Sequence, residues 1–220
     1  MSLLDENTKD QVRSMFNDLV NPVKLVVFTQ DSLLYAPGLE CENCKDNRLL
    51  MEEVAELSDK LSVEVYDFVK DKEKVEEYGI DKIPATVVTG EKDSGIRIYG
   101  MPAGYEFPTL LSAITTVSRA STELSEDTRA KLKEITKPVH LQVFVTLTCP
   151  YCASAASLAH KFAFESEMVK ADVINAQEFP QLAQRFNVFA VPKTVVNNTI
   201  HVEGAIPEDR LIVKTLESQQ

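Results

Sequence analysis

At 220 residues the chain has room for one large domain or two small ones, each able to bury its own core. Apolar residues at 44% and charged residues at 26% exclude a disordered, collagen-like or low-complexity chain. A formal charge of −11, from 34 acidic against 23 basic residues, opposes nucleic acid or an anionic membrane as partner.

Met1 to Val20 is polar and carries Asp5, Glu6, Asp10 and Asp18, unlike a secretory leader with its basic start and apolar centre. No apolar run approaches the roughly 20 residues of a membrane span. A soluble, cytoplasmic protein is therefore expected. Val12, Phe16 and Leu19 share one face of a helix predicted over 5–20. A continuous apolar run, 24–28, predicts a strand buried on both faces. After the segment 29–40 comes Cys41-Glu-Asn-Cys44 at the start of a helix carrying Leu49, Leu50, Val54 and Leu57. Leu61, Val63 and Val65 alternate as a second strand, and a short helix follows at 71–78. Ile83-Pro84 leads into strands 85–89 and 96–99 across Gly90 to Gly95, and a helix over 108–119 closes the series.

The series then repeats. A helix over 125–135 with Leu132 and Ile135 precedes an apolar strand, 140–145, and Cys149-Pro-Tyr-Cys152 opens a helix with Ala155, Ala156, Ala159, Phe162 and Ala163. A strand at 169–174, a helix at 177–186 and Val191-Pro192 come next. Pro180 falls in that helix's first turn, where its missing N–H costs little. Strands 193–197 and 199–202 meet across Asn197-Asn198, which tolerates the positive φ of a tight hairpin. A helix over 207–217 ends the copy.

The match is close in register. Cys41 and Cys44 recur 108 residues later as Cys149 and Cys152, and Tyr78-Gly79-Ile80 recurs as Phe186-Asn187-Val188. Second cysteine to proline is 40 residues in both copies. Two homologous units, 1–122 and 123–220, follow. Ahead of the cysteines the offset is 116, so eight extra residues stand between Phe28 and Cys41. Their Leu33, Leu34 and Tyr35 are read as packing in the first instance, with binding or shielding of substrate as the alternative.

All four cysteines belong to these pairs and Trp is absent. Cytoplasmic thiols are kept reduced, so a C-x-x-C there is redox-catalytic or metal-binding before it is a structural staple. Zinc sites separate their pairs by about 12 to 20 residues, whereas 104 residues lie between Cys44 and Cys149. A shared metal is not expected, nor is any cofactor. His140, His160 and His201 have no ligand spacing and read as surface or strand-edge residues. A cysteine at a helix N-terminus has a lowered pKa, because unpaired N–H groups and the helix dipole favour the thiolate. Cys149 occupies that place, with Pro150 expected at the first helical position and Tyr151 as a partly exposed spacer. Cys149 would attack and Cys152, one turn on, would resolve the mixed disulfide. Glu40, Glu42 and Asp46 oppose a thiolate at Cys41, while Val139 to Phe164 holds no acid. The second pair is thus expected to be the more reactive.

The order β-α-β-α-β-β-α, the two C-x-x-C segments and the apolar-Pro pairs resemble the thioredoxin fold. The doubled form is similar to the tandem-thioredoxin-fold protein disulfide oxidoreductases of thermophilic microbes. That resemblance implies an α/β fold of two tandem units, each a mixed four-stranded sheet flanked by helices. It also implies dithiol–disulfide exchange on protein disulfides, with electrons from a thioredoxin-reductase-like flavoprotein or a small dithiol. Ile83-Pro84 and Val191-Pro192 would form cis bonds against the cysteines and offer substrate a backbone edge, and Pro150 and Tyr151 would line the same place. Cys-Pro-Tyr-Cys is also like that of glutaredoxins, so a glutathione-dependent reductase is one alternative. A redox-silent interaction module is the other. The N-terminal region of the flavoprotein component of alkyl hydroperoxide reductase shares the doubled fold, but no flavin- or nucleotide-binding segment is present here. The usual Trp before the first cysteine and a buried acid on the preceding strand are missing; Glu40, Thr148 and Val143 stand there instead.

Overall fold

The structure, a computed structural model, describes residues 2–30 and 41–219. The extra residues around Leu33 to Tyr35 lie outside the described residues.

In the first unit, α1 (Glu6–Phe16) starts where Asp5 accepts a hydrogen bond from the Thr8 N–H at 2.8 Å, a side-chain cap on an otherwise unpaired donor. Then come β1 (Val23–Thr29), α2 (Cys44–Ala55), β2 (Leu61–Asp67), α3 (Lys72–Tyr78), β3 (Ala85–Thr89), β4 (Ile96–Tyr99), a 3₁₀ turn (Gly104–Glu106) and α4 (Phe107–Arg119). The second unit runs α5 (Glu126–Leu132), β5 (Val139–Val145), α6 (Cys152–Glu165), β6 (Val169–Asn175), α7 (Pro180–Arg185), β7 (Lys193–Val196), β8 (Ile200–Glu203) and α8 (Glu208–Glu217). Ser125 caps α5 as Asp5 caps α1. Each element expected from the sequence is present.

Within each unit the strand order is the same, β2-β1-β3-β4 and β6-β5-β7-β8, with one parallel and two antiparallel pairings. The two sheets are not separate. Edge strand β4 pairs in parallel with edge strand β6, Ile96 to Tyr99 against Ala171 to Ile174, and one eight-stranded sheet results. Pairing two edges removes two rows of open backbone groups that would otherwise invite association. Gly95 enables the join: its φ is +72°, and a Cβ there would lie 2.6 Å from the Val169 carbonyl.

Alternation sorts the strand residues into two cores. Leu25, Val27, Ile96, Ile98, Leu141, Val143, Ala171 and Val173 face one layer of helices that includes α1, α2, α4, α6 and α8. Val26, Phe28, Val87, Phe144, Ile174 and Val195 face the other side, under α3 and α7. The short helices α3 and α7 end on Gly79, φ +60°, and on Asn187, φ +53°. Two residue types that tolerate the left-handed region thus terminate the same helix in both copies. Asn197 and Asn198, φ 47° and 63°, form the tight hairpin.

One expectation fails here. His140 lies on β5, with Nε2 2.6 Å from Asp172 Oδ2, and His201 is exposed on edge strand β8. His160, however, is buried in α6, because that helix is clamped between α4 and the sheet. Burial pushes its imidazole down to about 4.

Candidate active site

Both C-x-x-C segments occupy the turn between a central strand and the helix after it. Cys41 and Cys44 form one disulfide and Cys149 and Cys152 another, with Cα atoms 5.4 Å apart in each. Four cysteines therefore serve two local bridges, one per unit. Helices α2 and α6 begin at Cys44 and Cys152, both buried, while Cys41 is half-buried and Cys149 sits at the edge of burial. The outer cysteine of each pair precedes the N–H groups that no residue within the helix can accept.

Pro150 is not at the first helical position. The Cys152 N–H donates to the Cys149 carbonyl at 3.3 Å, and Tyr151 has φ −89° and ψ −12°. These describe a type I turn with Pro150 at its second residue, where the ring pre-sets φ. Asn43, φ −98° and ψ 4°, repeats the shape in the first pair.

Ile83–Pro84 and Val191–Pro192 are both cis bonds. The Val191 carbonyl lies 3.8 Å from Cys149 Sγ. Cys41, Ile83 and Pro84 share a cleft of about 500 Å³. Each cysteine pair is thus brought to its own proline segment, 40 residues on in sequence.

The cleft at Cys41 is not built by one unit. Leu147, Asn175, Gln177, Glu178, Pro180 and Gln181 of the second unit form its other wall. Glu178 Oε1 accepts from the Met101 N–H at 2.8 Å and from Asn175 Nδ2 at 3.0 Å, which holds the carboxylate at the junction. With Glu42 beside the cysteine and Asp46 in the first turn of α2, three acids surround the first pair. The first turn of α6 has none.

The first unit reaches the second site in return. Its 3₁₀ turn packs against α6, and the Tyr105 N–H donates to the Leu147 carbonyl at 3.0 Å. A Cβ on Gly104 would stand 2.5 Å from that carbonyl, so the approach requires glycine. Glu106 is buried there, and neither carboxylate oxygen has a hydrogen-bond partner among the described residues. Burial pushes its carboxyl up from 4.5 to about 7. Sequence reasoning missed both Glu106 and Glu178, since nothing local to either position marks an acid drawn into a contact between units.

A larger cleft of about 610 Å³ lies between the β3–β4 hairpin and the start of β5, and no cysteine lines it. Of the two clefts, only the smaller is lined by a cysteine. Among the described residues no group of three or more His, Cys, Asp or Glu is placed to hold a metal, and no helix is long and apolar enough to cross a membrane.

Comparison with known proteins agrees with this geometry. The thioredoxin domain matches twice, over residues 34–111 and 139–217, together well over half the chain. A protein disulfide oxidoreductase from Aeropyrum pernix superposes with a TM-score of 0.89 at 28% identity, covering 99% of this chain and 95% of that one. The N-terminal domain of alkyl hydroperoxide reductase AhpF from Enterococcus faecalis superposes at 0.86 and 23% identity, covering 96% and 98%. Among curated relatives, an NADH dehydrogenase of Bacillus subtilis is 22% identical over 212 residues, and the corresponding alkyl hydroperoxide reductase component of Escherichia coli is 23% identical over the same length. The chain spans 38% and 37% of their lengths. With the fold, the doubled domain match and a cysteine pair in each copy, the chain belongs to the thioredoxin-domain family and carries the domain twice in tandem.

Proposed function

We propose that the chain is a dithiol–disulfide oxidoreductase that reduces, forms or isomerises protein disulfides, with Cys149–Cys152 as the faster pair. The observation that carries this is the juxtaposition, twice over, of a helix-start disulfide with a cis-proline segment. In the reducing direction the Cys149 thiolate attacks a substrate disulfide; that S–S bond breaks, a mixed disulfide forms and one substrate thiolate leaves. Cys152 then attacks the Cys149 sulfur, releasing the second substrate thiolate and closing the Cys149–Cys152 bridge. Two electrons have passed to the substrate. Glu106 is suited to take the proton Cys152 gives up, since its carboxyl titrates near neutrality beside the helix that Cys152 begins. Val191 and Pro192, and Ile83 and Pro84, supply the backbone edge along which an extended substrate segment lies, with Pro150 and Tyr151 at its flank.

A flavoprotein reductase or a small dithiol returns the electrons. The curated relatives support the former, because they are longer proteins, an NADH dehydrogenase and an alkyl hydroperoxide reductase component, of which this chain matches little more than a third. We place the division between units at 122/123, in the stretch between α4 and α5, and the protein in the cytoplasm.

Dithiothreitol-driven reduction of insulin tests the reading. Wild type accelerates it, Cys149→Ser loses on the order of 100-fold, since serine cannot replace a thiolate nucleophile, and Cys41→Ser keeps most of the rate. No acceleration by wild type sinks the proposal in favour of an interaction module. Acceleration only with glutathione assigns the glutaredoxin reaction instead.

A further inference from the structure

Helices α3 and α7 each lead, five residues on, into a proline segment: Gly79 to Pro84 in the first unit, Asn187 to Pro192 in the second. The last carbonyls of a helix have no donor within it and take one from elsewhere, often from a lysine or arginine. Both units use a lysine, but from different places. In the second unit Lys193 Nζ donates to the Asn187 carbonyl at 2.9 Å and pairs with Glu203 at 2.9 Å, so every partner is local. One repeat earlier, 108 residues back, Ala85 stands for Lys193 and has no donor to offer. The Gly79 carbonyl instead accepts from Lys170 Nζ at 3.0 Å, a side chain of β6 that crosses from the second unit.

Lys170 is held in that place. Its Nζ lies 3.9 Å from Asp172 Oδ1, on a buried carboxylate whose Oδ2 is 2.6 Å from His140 Nε2. Beside it the Tyr78 carbonyl accepts from Arg97 at 3.0 Å, and Lys82 lies 3.7 Å from the centre of the Tyr99 ring. At the far end the Gly100 N–H donates to the Pro84 carbonyl at 2.9 Å, as the Gly204 N–H does to that of Pro192 at 2.8 Å. The segment is thus fastened at both ends, and its start is fastened to the other unit. A series of contacts runs from His140, on the strand that leads to Cys149, through Asp172 and Lys170 to the segment that shares a cleft with Cys41.

We propose that Lys170 is a positioning residue for the first pair, supplied by the second unit, and that Lys193 is its counterpart for the second pair. Each lysine fixes the start of its proline segment and so sets where the backbone edge at Pro84 or Pro192 stands beside the cysteines. This rests on the disulfide-exchange reading above, since the position of that edge matters only when a substrate segment lies along it. Neither lysine touches the thiols, so their effect falls on the binding of a peptide rather than on the reactivity of sulfur.

Two proteins separate the pairs: one with Cys149→Ser and Cys152→Ser, in which only the first pair turns over, and one with Cys41→Ser and Cys44→Ser, in which only the second does. Each is assayed with insulin and with hydroxyethyl disulfide, which has no peptide backbone, under dithiothreitol. Lys170→Met, which keeps the apolar stem, should raise KM for insulin at the first pair about fivefold, the scale of one hydrogen bond. It should leave kcat, the turnover of hydroxyethyl disulfide and the alkylation rate of Cys41 unchanged. Lys170→Arg, which can still donate to the Gly79 carbonyl, should restore KM. The second pair should not respond to Lys170→Met, which also certifies that the variant folds, and Lys193→Met should give the reverse pattern. An unchanged KM at the first pair, or equal losses at both pairs, overturns the proposal and leaves the exchange reading intact. A first pair with no turnover of its own overturns it as well, since no substrate is then positioned there. Failure of both proteins to reduce either disulfide overturns the exchange reading itself.

Discussion

The two cysteine pairs share a turn type, a helix start and a cis-proline partner, yet their surroundings differ in sign and polarity. Around Cys41 stand Glu42, Asp46 and, from the other unit, Glu178. Around Cys149 the first helical turn holds no acid, the exposed side chains are aromatic, and the nearby carboxyl of Glu106 is buried and titrates near 7. Duplication preserved the apparatus that makes a dithiol. Divergence fell on the residues that set how readily the thiolate forms and what it meets. A shared backbone frame thus carries two differently charged surroundings, and thiolate reactivity depends on such neighbouring charges as well as on the fold.

The largest expected effect concerns the frame itself. Phe28 and Phe144 are matched core residues of the two units, both fully buried. Truncating either to Ala costs about 3–5 kcal/mol. Because β4 and β6 join the sheets, chemical denaturation of Phe28→Ala and of Phe144→Ala should each show one transition shifted as a whole. A variant that unfolds in two steps, with the unmutated unit unmoved, would break the comparison into independent halves.

A smaller effect is tied to pH. The folded state keeps on Glu106 a proton that the unfolded chain releases near 4.5, and gives it up only near 7. The unfolded state therefore binds fewer protons between those values, and stability falls as pH rises through that window. Glu106→Gln should match wild type near pH 4 and exceed it by about 3 kcal/mol at pH 8, one pKa unit being worth about 1.4 kcal/mol. Equal denaturation midpoints across the range would show that the carboxyl is not held neutral. The same variant should flatten the pH profile of turnover at the second pair and leave that of the first unchanged.

The mildest change removes the charge that separates the sites. Glu42→Gln or Glu178→Gln should raise the alkylation rate at reduced Cys41 about two- to fivefold at low salt, the effect of one charge near a helix start, and less at high salt. No change in Cys41 rate from either variant would detach the acids from the difference in reactivity.

What the sequence shows of this molecule is what repeats. Aligning the halves finds the strands, the helix-start cysteines, Pro84 with Pro192 and Gly79 with Asn187, because each answers a local backbone demand met twice; the Asn197-Asn198 hairpin is legible from its turn residues alone. The junction occurs once and has no second copy to compare. Gly95 reads as part of a hairpin turn, yet its missing Cβ is what lets β6 approach. Gly104 and Glu106 lie in an unremarkable stretch, and only the contact with Leu147 and α6 gives them a role. Glu178 sits in the second unit but lines the cleft of the first. Pro150 is legible as a residue with a pre-set φ, though the choice between a helix's first position and the second position of a turn depends on where the hydrogen bonds begin.

The inequality of the two sites is tested most directly by the alkylation rates of Cys41 and Cys149 in the fully reduced chain, followed by mass spectrometry of each peptide from pH 5 to pH 9. The account predicts that Cys149 reacts faster at pH 7 and that its rate begins to climb at a lower pH than that of Cys41, as befits the lower thiol pKa. Equal profiles, or a faster Cys41 at neutral pH, would contradict it.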